Sequence, residues 1–543
     1  MRRRVWKLAL VWALAVAAMA VMALGLARAA DETPTVVDLQ LSDAFASCDA
    51  VEPHIATGAY DPSSGKHYVA AVWVQELGDG ENCSSGGEAF LRWARVVTQA
   101  AALDWHAAID PFNGLLQAGE MVAHVDVAVS ANVAHLVAVT KRTTPGASFP
   151  VTTALRYAAY DLTSGSRIAQ ALIRTDIANT TSDMQILEAA ITVGDDGVPH
   201  VVYSRRQTSG DDLADLSQVW YTRPLTGTWS AGINLTSDSD LQHAYHPQIA
   251  WSRQISTPNQ GYVHIVWGYH KATSTNVSNY NGSVYYRRCK DNATSGGALV
   301  CGDETLYADT TPNNTHPRPT VAAGEDTVAL VWNMCASYDP SPPCTELALV
   351  YRMSGRNGAD FGLLANSGIP PYEVLSNVDM LHGTPRHKYV GTDEEVEIEY
   401  GSYLRPSAFV SPTGGIFVAW QIVSATIGGS DAHYWPSVLS TTWGYSPSAS
   451  LGKFSTWEGL GWVGGQYNDA RFLPEIAPAP LEVEPHGGLH MVFMRSEDVN
   501  GTQRYRIEYT YFDDAYVPPN SGGGGNEDPY PYRVYLPLVM RNR

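Results

Sequence analysis

The chain has 543 residues, 45% of them hydrophobic, with 55 acidic against 35 basic side chains for a formal net charge of −20. A chain this acidic repels phosphate backbones, which argues against nucleic acid as a partner. Its length is ample for one large core, and its even count of six cysteines suits disulfides in an exported protein.

The first 30 residues read as a secretory signal peptide. Arg2, Arg3, Arg4 and Lys7 precede an apolar run from Leu8 to Leu26, and Ala27-Arg28-Ala29 gives a small-residue exit before Asp31 and Glu32. A retained membrane anchor is the competing assignment, because the apolar run approaches spanning length. The exit has no role in an anchor and favours cleavage. Loss of the leader would leave the exported part more acidic still. Contact with a membrane is expected only through such anchoring or sorting.

From residue 31 to 518 one phrase recurs: Pro-x-Ile/Val-Ala, a turn, then a strand ending in an aromatic. It appears as Pro53-His54-Ile55-Ala56 with Tyr68–Trp73, as Pro247–Ala250 with Val263–Trp267, and as Pro319–Ala322 with Val328–Trp332. Pro406–Phe409 with Ile416–Trp420 and Pro474–Ala477 with Leu489–Phe493 repeat it. Val125–Ala128 with His135–Ala138, and Glu188–Ile191 with Val198–Tyr203, are copies without the proline. A third short strand follows in most units, as in Phe90–Trp93, Val219–Tyr221 and Val284–Tyr286. Such short β-branched and aromatic runs, punctuated by Gly, Pro, Asn and Ser, carry almost no helical periodicity. Radial repetition buries many short strands without long free edges. The expected fold is all-β, a propeller of seven four-stranded blades, with six the alternative count. An array of β-sandwiches would need linkers, and none occurs before residue 518.

Four cysteines form two close pairs beside predicted strands, so Cys289–Cys301 and Cys335–Cys344 are expected as hairpin staples, with Cys48–Cys83 closing a longer loop. In a propeller, residues just before each innermost strand and just after the second strand gather at one mouth of the central channel. The first set is Glu52, His124, Glu188, His246, Arg318, Arg405 and Arg471. The second includes Glu76, Arg142, Arg205, Tyr269, His270, Asn333, Gln421 and Arg495. From both sets, and with Tyr245 and Tyr403 beside them, the candidate ligand-binding residues are Glu52, Glu188, Tyr245, His246, Tyr269, Arg318, Tyr403, Arg405, Arg471 and Arg495. Arginine forks pair with carboxylates and aromatic faces stack on sugars, so an anionic or sugar ligand suits them. Solvated loop charges paired with acidic neighbours would give the same pattern.

His135, His200, His264 and His490 each stand three residues before the position that usually holds the strand-ending aromatic, so they read as packing elements of the repeat rather than metal ligands. There is no Cys-x-x-Cys. Asp393–Tyr400 alternates acids with apolar residues, which fits a strand with one solvated face. Convergent oxygens there could hold calcium, and a structural calcium is the one cofactor this pattern leaves open.

The run Val219-Trp220-Tyr221-Thr222-Arg223, followed by Gly227-Thr228-Trp229-Ser230, resembles the BNR-repeat, sialidase-like propeller superfamily over roughly residues 50–515. No complete Asp-box survives. The resemblance implies three arginines on a substrate carboxylate, a Tyr/Glu nucleophile pair and an acidic Asp. The first arginine of that pattern stands two residues before the strand-opening proline. This chain has Val51, Tyr245, Pro317, Leu404 and Phe472 there, so no catalytic residue is carried over. Beyond a Gly-rich linker, residues 519–531, the segment 532–543 is similar to Tyr-Leu-Pro-Leu-Val tails of exported bacterial proteins and implies sorting or surface retention. A final docked β-strand is the alternative.

Two functions follow as expectations. The first is a secreted or surface binding module that holds an extracellular glycan or a surface protein at the mouth. The second is a sialidase-like glycoside hydrolase or polysaccharide-degrading enzyme, which would need two carboxylates, or a Tyr/Glu pair, close together across the channel.

Overall fold

The structure is a computed structural model that describes residues 39–42, 48–59, 67–77, 86–96, 103–143, 148–207, 216–225, 227–236, 242–253, 261–272, 280–291, 300–302, 305–312, 318–324, 327–335, 347–354, 373–374, 386–388, 395–410, 416–426, 432–440, 458–462, 471–478, 489–499 and 502–512. The expected leader (1–30), linker (519–531) and tail (532–543) lie outside these residues, as do Cys83, Cys344 and Asp393.

Among the described residues every named element is a β-strand. Successive strands pair antiparallel in short meanders, each opened by an inner strand. The inner strands are Ala50–Thr57, Glu120–Ser130, Gln185–Val193, Gln242–Arg253, Thr320–Ala323, Glu395–Val410 and Arg471–Pro478. Each touches the next in chain order, and the last touches the first, so seven inner strands among the described residues close a ring. That closed order makes the fold a β-propeller. Single pairings, Gly87 with Val122 and Ser217 with His243, join neighbouring blades into larger sheets.

The recurring proline has a physical reason here. Apart from those single pairings, the channel-side edge of an inner strand has no ladder partner among the described residues, and proline is tolerated on edges and in bulges. Pro53, Pro247, Pro406 and Pro474 all fall inside register breaks, between Val51 and His54, Tyr245 and Gln248, Leu404 and Ser407, and Phe472 and Glu475.

The aromatic that ends the second strand packs back onto the preceding blade. Trp73 lies with Val492, Ile507 and Tyr509 of the last blade, Trp267 with Val202, Val219 and Tyr221, and Trp332 with Val266 and Val284. All three indoles are fully buried. Blade-to-blade cohesion at these three seams is therefore hydrophobic.

The four repeated histidines are a packing device. His135, His200, His264 and His490 each place Nδ1 2.7 Å from the hydroxyl of Tyr157, Tyr221, Tyr286 and Tyr509 on the third strand. This is one diagonal cross-strand pair repeated in four blades. It also fixes the alignment of units. His200 pairs with Thr192 as His264 pairs with Ala250, so Ala189, not Glu188, stands where other blades have proline. The unit read from the sequence as Glu188–Ile191 is thus one residue out of phase. The missing proline removed the marker that would have set it.

Ring closure uses the N-terminal side of the chain. Leu39–Gln40 adds to Thr502–Phe512 as the outer strand of the last blade. Arg92 donates to Leu41 O at 3.0 Å, and Thr57 to Pro478 O at 2.7 Å, across the first and last blades.

Of the expected disulfides, Cys289–Cys301 is formed, linking paired neighbours in adjacent strands. Cys48 is disulfide-bonded. The Cys335–Cys344 expectation falls outside the described residues. Replacing Cys289 and Cys301 by serine reopens a loop with a sequence separation of 12. The expected loss is roughly 3 kcal/mol, read from urea unfolding of the variant and the oxidised parent.

Candidate functional site at the channel mouth

Aligning the inner strands by register gives one ring of equivalent positions: Glu52, His124, Glu188, His246, Arg318, Arg405 and Leu473. Two residues further on lies a second ring that includes His54, Asp126, Gln248, Ser407 and Glu475.

Two positions of the first ring are strained. Glu52 and His246 have φ of 54° and 48°, and each precedes a proline inside the bulge. A residue before proline is normally driven to extended backbone, so this left-handed geometry is held against its preference. The bulge turns both side chains to the neighbouring blades.

Glu52 reaches His124 of the next blade, Oε2 to Nδ1 at 2.9 Å. The other ring nitrogen of His124 is 2.8 Å from Ala189 O, on the blade after that. Both nitrogens face pure acceptors, so both must carry hydrogen and the ring is an imidazolium. Burial would lower its pKa, but the hydrogen bond and charge of Glu52, with Glu188 and Asp126, raise it to about 9. Burial would likewise raise Glu52, and His124 and His54 hold it below its ordinary value.

Glu188 reaches His246 of the fourth blade. Oε1 is 2.8 Å from Nδ1 of the ring, and Oε2 accepts the His246 backbone N–H at 2.9 Å. An ionised carboxylate only accepts, so Nδ1 of His246 carries the hydrogen. Among the described residues Nε2 makes no hydrogen bond, which leaves that nitrogen available to a ligand. Burial would raise Glu188, but His246, His124 and Arg318 bring it to about 2, so it is ionised at neutral pH.

Arg318 interacts electrostatically with Glu188, Glu52 and Tyr245, and its backbone N–H donates to Asn333 Oδ1 at 2.7 Å. Burial pushes the Tyr245 hydroxyl well above its ordinary pKa, so it is a phenol, not a phenolate. Its ring meets His246 edge-on at 5.2 Å. Deeper in, His54 Nδ1 is 3.4 Å from Asp126 Oδ1, and the His54 and His124 rings meet edge-on at 5.6 Å. Asp126 Oδ2 accepts the Ile191 N–H of the next blade at 2.8 Å.

The structure thus brings together Glu52, Glu188, Tyr245, His246 and Arg318 from the sequence-derived set. Tyr269 stands apart: it is 5% exposed, in the core of the fourth blade, with its ring edge-on to Tyr285. Its phase on the second strand turns it to packing rather than to the mouth. Arg495 is engaged by Glu508, Nη1 to Oε1 at 2.7 Å. Arg405 occupies the bulge equivalent to Glu52, and Arg471 pairs in register with Arg495, two residues before the ring position held by Leu473. The side chains of Tyr403, Arg405 and Arg471 lie outside the described residues, as do those of 395–400. His54 and Asp126 belong to the site and were not nominated from the sequence.

No family model and no curated protein matches the chain. Among solved structures it is similar to an ulvan lyase reported as a new family of polysaccharide lyase, at TM-score 0.42 and 9% identity over 88% of this chain and 97% of that one. It is similar to the NanB sialidase of Streptococcus pneumoniae, at TM-score 0.36 and 8% identity over 88% and 70%. The phage phi92 endosialidase gives TM-score 0.36 and 9% identity over 91% and 72%. At these scores the propeller assignment rests on the closed ring of inner strands.

Proposed function

We propose that the chain is a secreted or cell-surface propeller whose channel mouth binds an extracellular glycan. The observation that carries this reading is the convergence of Glu188, His246, Tyr245 and Arg318 from successive blades at one end of the channel. A sugar offers neighbouring hydroxyls that donate and accept at once. Fixed carboxylates, an imidazole nitrogen and a guanidinium fork complement them. The strained bulges supply pre-organisation, which reduces the ordering cost of binding.

A second reading has one specific observation in its favour. His246 is oriented by Glu188 through Nδ1, with Nε2 available, which is the arrangement of a general acid or base. In a hydrolase or lyase it would exchange a proton with the bound sugar, beside the positive charge of Arg318 and His124.

One experiment separates them. The purified protein is incubated with defined glycans, including sialosides and uronate oligosaccharides, and retained and released sugars are read by mass spectrometry. Retention of an uncut glycan is the expected result. Released monosaccharide or an unsaturated product selects the enzyme instead. Neither retention nor release overturns the glycan reading and points to a surface protein as partner.

A further inference from the structure

Outward from the mouth, in the seam between the second and third blades, lie two arginines that the ring does not use. Arg205 follows Ser204, which pairs in register with Glu188, so it sits at the mouth end of the third blade. Arg174 and Asp176 pair with Leu155 and Thr153 near the mouth end of the second blade. Asp176 receives both arginines, Arg174 Nε on Oδ1 at 3.0 Å and Arg205 Nε on Oδ2 at 2.6 Å. Both guanidinium groups lie over the Trp220 ring, at 5.1 and 5.2 Å from its centre.

A clamp between blades would need only one arginine per carboxylate. Among the described residues two cations share one anion there, on a chain whose formal net charge is −20. Each arginine spends its Nε on Asp176. Among the described residues, the terminal nitrogens make one further contact, Arg174 Nη1 to Tyr203 OH at 3.5 Å. The terminal N–H groups of two neighbouring guanidinium groups thus stand in one seam, on side chains that are 25% and 14% exposed. Paired N–H donors of this kind recognise the two oxygens of a carboxylate or sulfate.

We propose that this seam is an anion subsite for a carboxylate or sulfate group of an acidic glycan whose neighbouring sugar occupies the mouth. The inference rests on the glycan reading of the mouth and adds the ligand class, an acidic polymer. His124 lies at the inner end of the same seam, through its bond to Ala189 O, and ties the seam to the mouth.

The test uses the full chain and three probes: polygalacturonate for carboxylates, dextran sulfate for sulfates, and neutral dextran. Calorimetric titration should show at least one anionic polymer bound at least about tenfold more tightly than dextran. Arg205→Gln leaves Asp176 its bond to Arg174, so it should fold with a near-parental melting curve and lose about five- to tenfold in that affinity. Its salt dependence should become shallower. Arg205→Lys keeps the charge without the fork and should fall between. Equal binding of all three probes, or an Arg205→Gln variant that binds like the parent, overturns the subsite. If Glu188→Gln abolishes binding and Arg205→Gln does not, the mouth stands and the subsite fails. If the reverse holds, the seam binds anions and the mouth reading fails.

Discussion

Taking the protein from pH 7 to pH 4 is expected to unfold it. His67, His135, His264 and His490 are at most 6% exposed. Burial lowers His67 and His135 to about 4, His264 to about 3, and His490 well below its ordinary value. In the unfolded chain each would titrate near 6.5. Below that pH the unfolded state binds protons that the folded state refuses. The stability these residues contribute is therefore complete above about 6.5 and drains away as pH falls toward 4. Each such depression corresponds to on the order of a few kcal/mol, a large share of the stability of a typical domain.

Two mouth groups act over other ranges. His124, raised to about 9, contributes stability below about 6.5 that is lost as pH rises from there to about 9. Glu188, depressed to about 2, contributes above about 4.5 and loses it as pH falls through 2. The buried histidines outnumber them on the acid side and set the midpoint. Tryptophan fluorescence and far-UV circular dichroism against pH would show it. His135→Gln keeps a polar neighbour for Tyr157 but cannot take the proton, so its midpoint should move down and its slope flatten. A parent that stays folded below pH 4 would refute the argument.

Glu188→Gln should reduce glycan binding by about a hundredfold with a smaller change in stability. The amide keeps the shape but removes the charge that fixes the His246 tautomer, supports the His124 imidazolium and faces Arg318. Removing a charge that faces buried cations within a binding site costs about 2–5 kcal/mol, much of it from the cations left behind. Isothermal titration of parent and variant with the glycan retained in the panel measures the loss. Arg253→Gln is the control, because that arginine is 51% exposed in its pair with Asp195 and its loss should change binding by less than about twofold. Equal affinity of Glu188→Gln and parent would remove this carboxylate from the site.

Much of the ring could be read directly. Glu52, His246 and Arg318 are legible because each precedes the proline of its unit. His54 and Asp126 carry a signal of their own: the x of Pro-x-Ile-Ala is polar in most units, as His54, Asp126, Gln248, Ser407 and Glu475. A polar residue held between apolar neighbours in an inner strand needs a partner, and the next blade supplies it. Tyr269 is buried in the core instead of facing the mouth, because alternation along a strand gives two faces without saying which one meets the adjacent blade.

The sequence by itself determined the all-β class, the repeat, the aromatic that ends the second strand in most units and the disulfide between Cys289 and Cys301, because each depends on residues close in the chain or on a local period. Only the tertiary structure decided which repeats touch and which charges meet. Glu52 with His124, Glu188 with His246, and Arg174 with Arg205 through Asp176 are contacts between blades. The first two depend on the left-handed bulges at Glu52 and His246, which turn a strand residue toward its neighbour. The protonation states followed from that geometry. An imidazole between a carboxylate and a carbonyl must be charged, and one beside a lone tyrosine hydroxyl in a dry core must be neutral.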